Sequence, residues 1–300
     1  MTDSSTLSQP VTLEEQSSRR VSFILVTKDH AAYIGAALEL SRQLVGPEDE
    51  LIVVDGASTD GTTEVITRYG DLVDVFISEP DDNPTHALNK GILVARGRYI
   101  KQITDDDTIY PEAMEQAIDV LDRNPSIDLL VCGGTRELNG VVTPVYVPPG
   151  ANYGQRPEDL FRHPFCGVGL VWRRRAIPHM GLLNNFGGAT DGEFVLQAIQ
   201  RRAEVKFCRI NLFHHTLYSH SYILHRQREW ERDLNRLVKQ YCSRRFYLKY
   251  RVKLAVLRSP LLGQAALWCR NALLPSRRGG GGKSSPATPG GQPVWDGGFS

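Results

Sequence analysis

The sequence predicts an α/β protein with a mostly parallel central sheet, flanking helices and a helical, basic C-terminal extension. Short β-branched apolar runs alternate with helical patterns over residues 21–125, the order typical of a parallel sheet covered by helices. Acidic residues follow the ends of these runs. The chain is 41% hydrophobic and 23% charged, as expected of a globular protein with a sizeable core, and this composition by itself indicates no function.

Two strand and helix pairs open the predicted domain. VSFILVT (21–27) is a β-branched apolar run, and the helical pattern after it ends near Gly46, which predicts a strand and then a helix. LIVVD (51–55) is a second run of the buried-strand type. The segment STDGTTEVITRYG that follows begins with capping residues and ends at Gly70, so we expect a second helix there.

Two more pairs complete the alternation. DVFISE (74–79) is the third predicted strand, and HALNKGILVARG (86–97) has helical spacing that ends at a glycine. RYIKQIT (98–104) is the fourth strand. PEAMEQAIDVLDRNP (111–125) carries proline in its first turn and stops at Asn-Pro, both features of a helix. Four strands therefore alternate with four helices.

Charged side chains follow all four predicted strands. Open parallel sheets bind ligands beyond the carboxyl ends of their strands, so these side chains should meet at one edge. Each acidic residue singly could cap a helix, but a gathering of this size indicates a cation. Oxygen ligands favour Mg²⁺ or Mn²⁺, which also bind phosphate oxygens, so we expect a metal-bound diphosphate. The residues are Lys28, Asp29, Asp55, Glu79, Asp81, Asp105, Asp106 and Asp107.

The last three of these are adjacent, in ITDDDTIYP. Three neighbouring negative charges repel one another unless water, a raised pKa or a cation relieves them. A solvated acidic turn that caps the helix beginning at Pro111 would also account for them. The carboxylates after the other three strands make the metal site the favoured interpretation.

Several segments occur in an order that resembles the family 2 glycosyltransferases, which have the nucleotide-sugar-binding GT-A fold. The resemblance extends from about Val21 to Ser221. In its second half, an apolar strand, a Gly-rich turn and an xDxE element precede a helix. The segments are VSFILVTKDHAAYI, LIVVDGASTDGT, SEPDDNPTHALNKGILVARGRYI, ITDDDTIYP with its DxD motif, and FRHPFCGVGLVWRRRAIPHMGLLNNFGGATDGEFVLQAIQRRAEVKF.

The resemblance implies a metal-dependent, inverting hexosyltransferase of surface polysaccharide or glycan synthesis. Its donor would be a nucleotide-sugar, expected to be a UDP-sugar, and its acceptor a saccharide or lipid-linked saccharide. Asp105 and Asp107 would hold Mg²⁺ or Mn²⁺ with the diphosphate. The matching donor-binding positions are Thr27, Asp55, Asp81, Lys90 and Asp106. Thr27 and Asp55 would contact the nucleoside, Asp55 through the base.

Asp191 matches the general-base position of the family. Its spacing equally fits an N-cap for a helix over Glu193 to Arg201. Lys90 could likewise be a solvated helix residue. Asp191 would have to be ionised at neutral pH, yet basic enough to take a proton from the acceptor hydroxyl.

The chain departs from the family at three places beside the expected donor pocket. Lys28-Asp29 stands where relatives often have Tyr-Asn, Asn83 lies where a glycine is common, and His86 replaces an aspartate. These departures leave a non-catalytic nucleotide-sugar-binding or assembly protein as the alternative. A nucleotidyltransferase or a dehydrogenase is disfavoured because no Gly-rich phosphate loop follows the first strand.

The remaining reactive side chains lack the spacing of a site. The five cysteines are scattered without a CxxC pair, as expected of reduced thiols in a cytosolic protein, and no zinc site is predicted. We place the histidines at 163, 214, 215 and 220 outside the catalytic set, because their spacing matches no metal site. Trp172, Phe186 and Tyr218 could stack on an acceptor sugar, although core packing is the commoner role.

Charge separates the chain into four predicted parts. Residues 225–278 carry 14 Lys and Arg against 3 Asp and Glu, a net charge of +11. The tail after residue 278 is neutral and the whole chain carries +1, so residues 1–224 carry a net charge of −10. We expect a disordered leader over 1–20, a GT-A domain over 21–224, a basic helical extension over 225–275 and a disordered tail over 276–300.

The composition of the basic extension indicates a partner. REWERDLNRLVKQY predicts an amphipathic helix, and the next segment mixes aromatic residues, leucines and cations, which suits an anionic membrane surface. The charge-free stretch between Arg258 and Arg270 holds 11 residues, short of the ~20 that a span needs. We therefore expect a cytoplasmic protein that attaches to the inner face of the membrane. Nucleic acid is disfavoured as a partner, because the body is acidic and carries no recognition motif.

Overall fold

The computed structural model describes residues 19–105, 107–145, 156–161, 166–217 and 227–258. Within these ranges the strands are β1 Arg19–Thr27, β2 Glu50–Asp55, β3 Val75–Ser78, β4 Gly97–Ile103, β5 Asp107–Ile109, β6 Leu129–Leu138, β7 Val141–Val145, β8 Leu170–Arg173 and β9 Val205–Leu217. The α-helices are α1 Ile34–Leu44, α2 Thr62–Thr67, α3 Pro84–Val94, α4 Pro111–Arg123, α5 Ile177–Met180, α6 Thr190–Gln200, α7 Gln227–Tyr241 and α8 Arg244–Arg258.

All the described strands form one sheet in the order β3-β2-β1-β4-β8-β6-β9-β5, with β7 paired to β6. The first four strands are mutually parallel, whereas β8, β5 and β7 each run antiparallel to their neighbours. Six of the nine strands therefore run in one direction. The predicted alternation of four strands and four helices and the mostly parallel sheet are confirmed.

The sheet is covered on both faces, which explains the continuous apolar runs of β1 and β2. Phe23 and Leu25 belong to one core cluster, with residues of α1 and α4. Ile24 and Val54 belong to the other, with residues of α3 and α6. Because successive side chains of a strand point to opposite faces, a strand buried on both sides has no polar alternation.

Several element boundaries differ from the prediction by a few residues. β1 begins at Arg19, so the last two residues assigned to the leader lie in the sheet. α2 ends at Thr67, and the pattern up to Gly70 continues as turns. α3 begins at Pro84 because Asn83 caps it, accepting a hydrogen bond of 3.0 Å from the backbone N–H of His86. One departure from the family pattern thus has a local structural reason.

The predicted amphipathic helix of the basic extension is present as α7. Leu237 and Val238 are fully buried, and α7 packs on α6 and on the turn Gly187–Ala189. In α8, which follows, Leu248 and Val252 are exposed. None of the described helices combines the length and the apolar character required to cross a membrane.

Candidate active site at the carboxyl ends of the strands

Thr27, Asp55 and Ser78 lie side by side at the ends of β1, β2 and β3, because the strand register pairs each with the next. The Asp55 carboxylate is fully buried. It accepts hydrogen bonds from the Ser78 hydroxyl at 2.6 Å, from the Ser58 backbone N–H at 3.0 Å and from the Ser58 hydroxyl. The Thr27 Oγ1 atom is buried and has no hydrogen-bond partner among the described residues. A fixed anion therefore adjoins an unsatisfied hydroxyl at this edge.

Gly56, directly after Asp55, allows the side chains of Asp81 and Lys28 to pack against the same backbone position. A Cβ atom on this residue would lie 2.3 Å from Oδ2 of Asp81 and 2.9 Å from Cδ of Lys28, so a side chain here would displace both. Lys90 contacts the same loop. Its Nζ donates to the Pro80 carbonyl at 2.8 Å and lies 3.1 Å from a Glu79 carboxylate oxygen. Lys90 is thus held at the end of β3 and is not a freely solvated helix residue.

Two loops at this edge are tied to one another. The Asp29 backbone N–H donates to the Ser58 hydroxyl at 2.8 Å, and Asp29 Oδ1 accepts from the Thr59 N–H at 3.0 Å. Asp60 accepts from the Ala31 N–H at 2.9 Å. Asp29 has a positive φ of 51°, which aspartate tolerates better than most residues. The departure from the family at Asp29 therefore serves this connection between the loops.

Asp105 and Asp107 are held by two histidines from different parts of the chain. The His30 Nδ1 atom contacts Asp105 Oδ2. The buried Asp107 carboxylate lies 2.6 Å from Nδ1 of His215 and accepts from the Thr104 hydroxyl at 2.7 Å. β5 pairs with β9 so that Asp107 and His215 are directly opposite. Asp106 lies outside the described residues.

Asp191 is in the first turn of α6 but does not cap it. The N-cap position is Ala189, and no side-chain cap is formed there. The Asp191 carboxylate instead rests on Gly167, where an added Cβ would come within 1.9 Å of Oδ2. Burial raises the pKa of Asp191, while the neighbouring side chains of Lys101 and His215 act to lower it. The alternative interpretation as an N-cap is wrong.

Lys101 of β4 is fully buried among the acidic and thiol groups of the site. Its Nζ donates to the carbonyls of Val168 and Gln102, the latter at 2.7 Å. Burial lowers the pKa of Lys101 to about 8, against the opposing influence of Cys132, Asp107, Cys166 and Asp191.

Sequence reasoning missed three residues of the site, Lys101, His30 and His215. A single lysine inside the apolar strand RYIKQIT was the available signal for the first. The positions of the two histidines depend on contacts between distant segments, and their spacing along the chain carries no such signal.

Other candidates serve packing. Glu193, the acidic partner of Asp191 in the xDxE element, is buried and accepts from the Tyr241 hydroxyl at 2.5 Å and from Asn184 Nδ2 at 3.1 Å. It connects α6 to α7. Trp172 lies in the core against Phe194, with ring centroids 5.4 Å apart. Phe186 packs beneath Arg236 of α7. His163, Tyr218 and His220 lie outside the described residues.

The carboxylates at this edge suit a divalent cation that also binds water and phosphate oxygens. Asp105 and Asp107 offer carboxylate oxygens at the same edge, and Mg²⁺ is typically bound through one or two carboxylates, with water and phosphate completing its shell. Among the described residues, no group of three or more His, Cys, Asp or Glu is arranged to enclose a metal ion. Protein ligands alone would therefore not complete the coordination.

The chain matches the sequence model of a known family, described as glycosyl transferase family 2, over residues 22–178. An uncharacterized glycosyltransferase of Rickettsia typhi is 28% identical over 145 residues, covering 48% of this chain and 45% of that protein. The succinoglycan biosynthesis protein ExoO of Rhizobium meliloti is 31% identical over 103 residues, covering 34% of this chain and 30% of that protein. The chain thus spans less than half the length of these curated relatives.

Solved structures share the fold at low sequence identity. The mannosyltransferase PcManGT of Pyrobaculum calidifontis, solved with GDP-Man and Mn²⁺, superposes with a TM-score of 0.59 at 18% identity, covering 89% of this chain and 80% of that one. For S. aureus TarS with UDP-GlcNAc the TM-score is 0.56 at 16% identity, with coverage of 73% and 65%. Glucosyl-3-phosphoglycerate synthase of Mycobacterium tuberculosis, solved with Mn²⁺, UDP and glucosyl-3-phosphoglycerate, gives 0.54 at 17% identity, with coverage of 76% and 82%.

Proposed function

The chain belongs to glycosyl transferase family 2, and from that premise we propose that it transfers a sugar from a nucleotide-sugar donor to an acceptor hydroxyl with the help of Mg²⁺ or Mn²⁺. The observation that carries this proposal is the meeting of Asp55, Asp107 and Asp191 at the carboxyl edge of one sheet, each in a different environment. A nucleoside, a metal-bound diphosphate and an acceptor hydroxyl need three such groups.

The nucleoside would bind at the ends of β1 and β2. Asp55 is fixed by Ser58 and Ser78 as a hydrogen-bond acceptor, and the unsatisfied Thr27 hydroxyl could be paired by the ligand. An unpaired buried polar atom is costly, so a ligand that pairs it gains affinity. Asp81 and Lys90 complete the donor side, as does Asp106 by its place in the motif. A UDP-sugar is the proposed donor; TarS and the mycobacterial synthase were solved with UDP compounds.

Asp105 and Asp107 would hold the divalent cation. When bound, the cation offsets the charge that develops on the departing diphosphate. The protein's own contribution is to fix these carboxylates: His215 and Thr104 hold Asp107, and His30 contacts Asp105. Oriented ligands bind a metal more tightly than mobile ones, because less conformational freedom is lost on binding.

Asp191 would accept the proton of the acceptor hydroxyl. Burial raises its pKa, which makes the carboxylate a stronger base than one in water, and the nearby cations favour its ionised form. Attack by the activated hydroxyl on the sugar carbon, opposite to the departing diphosphate, inverts that carbon. Inversion is the outcome that we propose.

The proposed acceptor is a saccharide or lipid-linked saccharide used in the synthesis of surface polysaccharide or other glycans. The basic extension supports an acceptor held at a membrane. The sequence of α8 holds no acidic residue. Leu248 and Val252, one helical turn apart, are exposed, and each is followed directly by a lysine, Lys249 and Lys253. Such a helix can insert apolar side chains while its cations contact anionic headgroups. We therefore expect attachment to the cytoplasmic face of the membrane.

Vesicle sedimentation tests this attachment. At low salt, vesicles containing anionic lipid should sediment the protein, and Lys249→Glu with Lys253→Glu should abolish sedimentation. Arg123→Glu, at an exposed position of α4, is the control for a general charge effect and should retain binding. If the wild type stays in the supernatant, membrane attachment is wrong, and the proposed transfer reaction is unaffected.

Calorimetry tests the donor site. UDP, dTDP and GDP are titrated with Mn²⁺, with Mg²⁺ and with EDTA into the wild type, Asp107→Asn and the control Asp119→Asn, whose side chain is exposed on α4. One nucleotide should bind only with metal to the wild type and the control, and not to Asp107→Asn. Absence of binding by the folded wild type would refute the donor site. Binding without any sugar transfer would favour the non-catalytic alternative.

A further inference from the structure

Lys101 occupies an unusual position for a lysine. It lies in β4 with β1 on one side and β8 on the other, and it is fully buried. Burying an ammonium group is expensive, so lysine is rarely found in such a place without a specific purpose. Its neighbours on the same face of the strand, Tyr99 and Ile103, both belong to a hydrophobic core cluster.

The ammonium group fixes the turn on which Asp191 rests. Lys101 Nζ donates to the carbonyl of Val168, which is the middle residue of the turn Gly167–Gly169. Gly167 in turn supports the Asp191 carboxylate, since an added Cβ would be 1.9 Å from its Oδ2. Gly169 is packed against the Cys132 carbonyl, which an added Cβ would approach to 2.4 Å. Lys101 therefore helps to fix the position of the turn, and the turn limits where the Asp191 carboxylate can lie.

Lys101 and Asp191 also interact electrostatically. Among the described residues, the titratable groups that act on Asp191 are Lys101 and His215, and both lower its pKa against the effect of burial. Around Lys101 the groups are Cys132, Asp107, Cys166 and Asp191. The Cys166 thiol is itself influenced by Asp107, Asp191 and Arg136, and burial raises its pKa to about 12, so it is neutral at pH 7. With a pKa of about 8, Lys101 is thus the buried cation of β4 near Asp191 at neutral pH.

We infer that Lys101 is a positioning residue for the transfer reaction: it seats the Gly167–Gly169 turn beneath Asp191 and keeps that carboxyl group ionised for proton abstraction. The inference rests on the proposed function, because it takes Asp191 as the base. It adds to the reaction a residue outside the proposed donor-binding and metal-binding sets.

Two neutral variants separate charge from packing. Lys101→Met keeps an unbranched side chain that is one atom shorter and removes both charge and hydrogen bonds, whereas Lys101→Gln keeps a donor for the Val168 carbonyl without the charge. Lys206→Met, on β9 beside Glu204, is the control. Circular dichroism and calorimetric nucleotide binding establish that each variant is folded with an intact donor site.

The first readout is the pH profile of nucleotide-sugar hydrolysis with Mn²⁺, measured as release of the nucleoside diphosphate. The substrate is whichever of UDP-glucose, UDP-N-acetylglucosamine and GDP-mannose the wild type hydrolyses fastest. Loss of a neighbouring cation raises the pKa of a carboxyl group, so both neutral variants should move the acid limb up by about one pH unit, with a KM close to that of the wild type. Below the limb, kcat/KM should fall about tenfold. A lost packing interaction would lower activity equally at every pH, and Lys101→Gln would then behave like the wild type.

The second readout needs no activity. A double-mutant cycle of Lys101→Met with Asp191→Asn measures their coupling in the unfolding equilibrium, and we expect a coupling of about tenfold. Additive effects and an unmoved acid limb in an active wild type would overturn this inference alone. A wild type with coupled residues but no release from any donor would overturn the transferase proposal, and the role of Lys101 in transfer with it.

Discussion

At the scale of single residues, the carboxylates of Asp55, Asp107 and Asp191 are each restrained by different contacts. Two serines hold Asp55 as an acceptor. A histidine and a threonine hold Asp107. Asp191 is restrained by close packing on Gly167, which leaves its oxygens available for a proton. The three environments correspond to the three proposed roles of base recognition, metal binding and proton abstraction.

The contact between Gly167 and Asp191 gives a sharp test at this scale. Gly167→Ala should displace the Asp191 carboxylate, because its Cβ would fall within 1.9 Å of Oδ2. We expect kcat to fall at least about 100-fold, as displacement of a base by about 1 Å can cost that much, while calorimetric binding of the donor nucleotide is retained. Gly35→Ala in α1, where a Cβ would meet only ordinary contacts at 3.7 and 3.8 Å, is the control. Equal loss of nucleotide binding would contradict the separation of base and donor sites.

Glu50 predicts how stability depends on pH. Burial alone would raise its pKa, but hydrogen bonds from the Ser22 hydroxyl, at 2.6 Å, and from Arg96 hold it below its ordinary value. A lowered folded-state pKa stabilises the protein above the unfolded-state pKa of about 4.3, and this stability is lost as the pH falls through the folded-state value.

Glu50→Gln should therefore remove part of this acid sensitivity. We expect the variant to be less stable at pH 7 by about 2 kcal/mol, since its amide cannot accept the same hydrogen bonds, and the difference should shrink below pH 4. Melting temperatures from pH 7 to 3 measure this, with exposed Asp119→Asn on α4 as the control. A difference that stays constant over this range would refute the role of Glu50.

At the scale of secondary structure, the site depends on elements that follow the four parallel strands. β9 brings His215 to β5, and α6 brings Asp191 to the turn Gly167–Gly169. α7 then fixes α6, because the Tyr241 hydroxyl binds Glu193 and Leu237 is buried in the same core. The basic extension thus begins with a helix that belongs to the domain.

Removing the packing of α7 should loosen α6. Leu237→Ala deletes a fully buried side chain, for which we expect a loss of about 3 kcal/mol in the free energy of unfolding. Val252→Ala, on exposed α8, should leave stability unchanged. Urea denaturation measures both. Equal midpoints for the two variants would mean that α7 does not contribute to the folded domain.

At the scale of the whole molecule, the site joins residues that are far apart in the chain. Asp107 and His215 are 108 residues apart, and His30 reaches Asp105 over 75 residues. The metal motif is therefore complete only when β9 has docked beside β5. Nucleotide binding that requires metal should consequently report on the folding of the whole sheet.

His215→Gln tests this dependence. The substitution removes the ring that lies 2.6 Å from Asp107, and loss of such an orienting group typically weakens metal affinity about 10- to 100-fold. We expect metal-dependent nucleotide binding to weaken by that factor in calorimetry. His179→Gln, an exposed substitution near Asp128, is the control. Unchanged binding by His215→Gln would show that Asp107 needs no partner from β9.

Most of the first half of the fold could be predicted from the sequence. β1 and β2 are buried on both faces, so their apolar runs are continuous and easily recognised. Asp55, Asp81 and Asp105 follow these strands in the chain, and the parallel order alone brings them to one edge. The family resemblance, which the match over residues 22–178 confirms, supplied the proposed role of Asp191.

Only the tertiary structure decided the rest. Whether Asp191 caps a helix or faces the site depends on Gly167, 24 residues earlier in the chain. The burial of Lys101 and the pairing of His215 with Asp107 depend on where β8, β6 and β9 join the sheet. Local periodicity reports which side of an element is buried, whereas contacts between distant strands depend on their register and order. The sequence by itself therefore determined the parallel half of the sheet and the acidic edge, and packing decided which groups surround each acid.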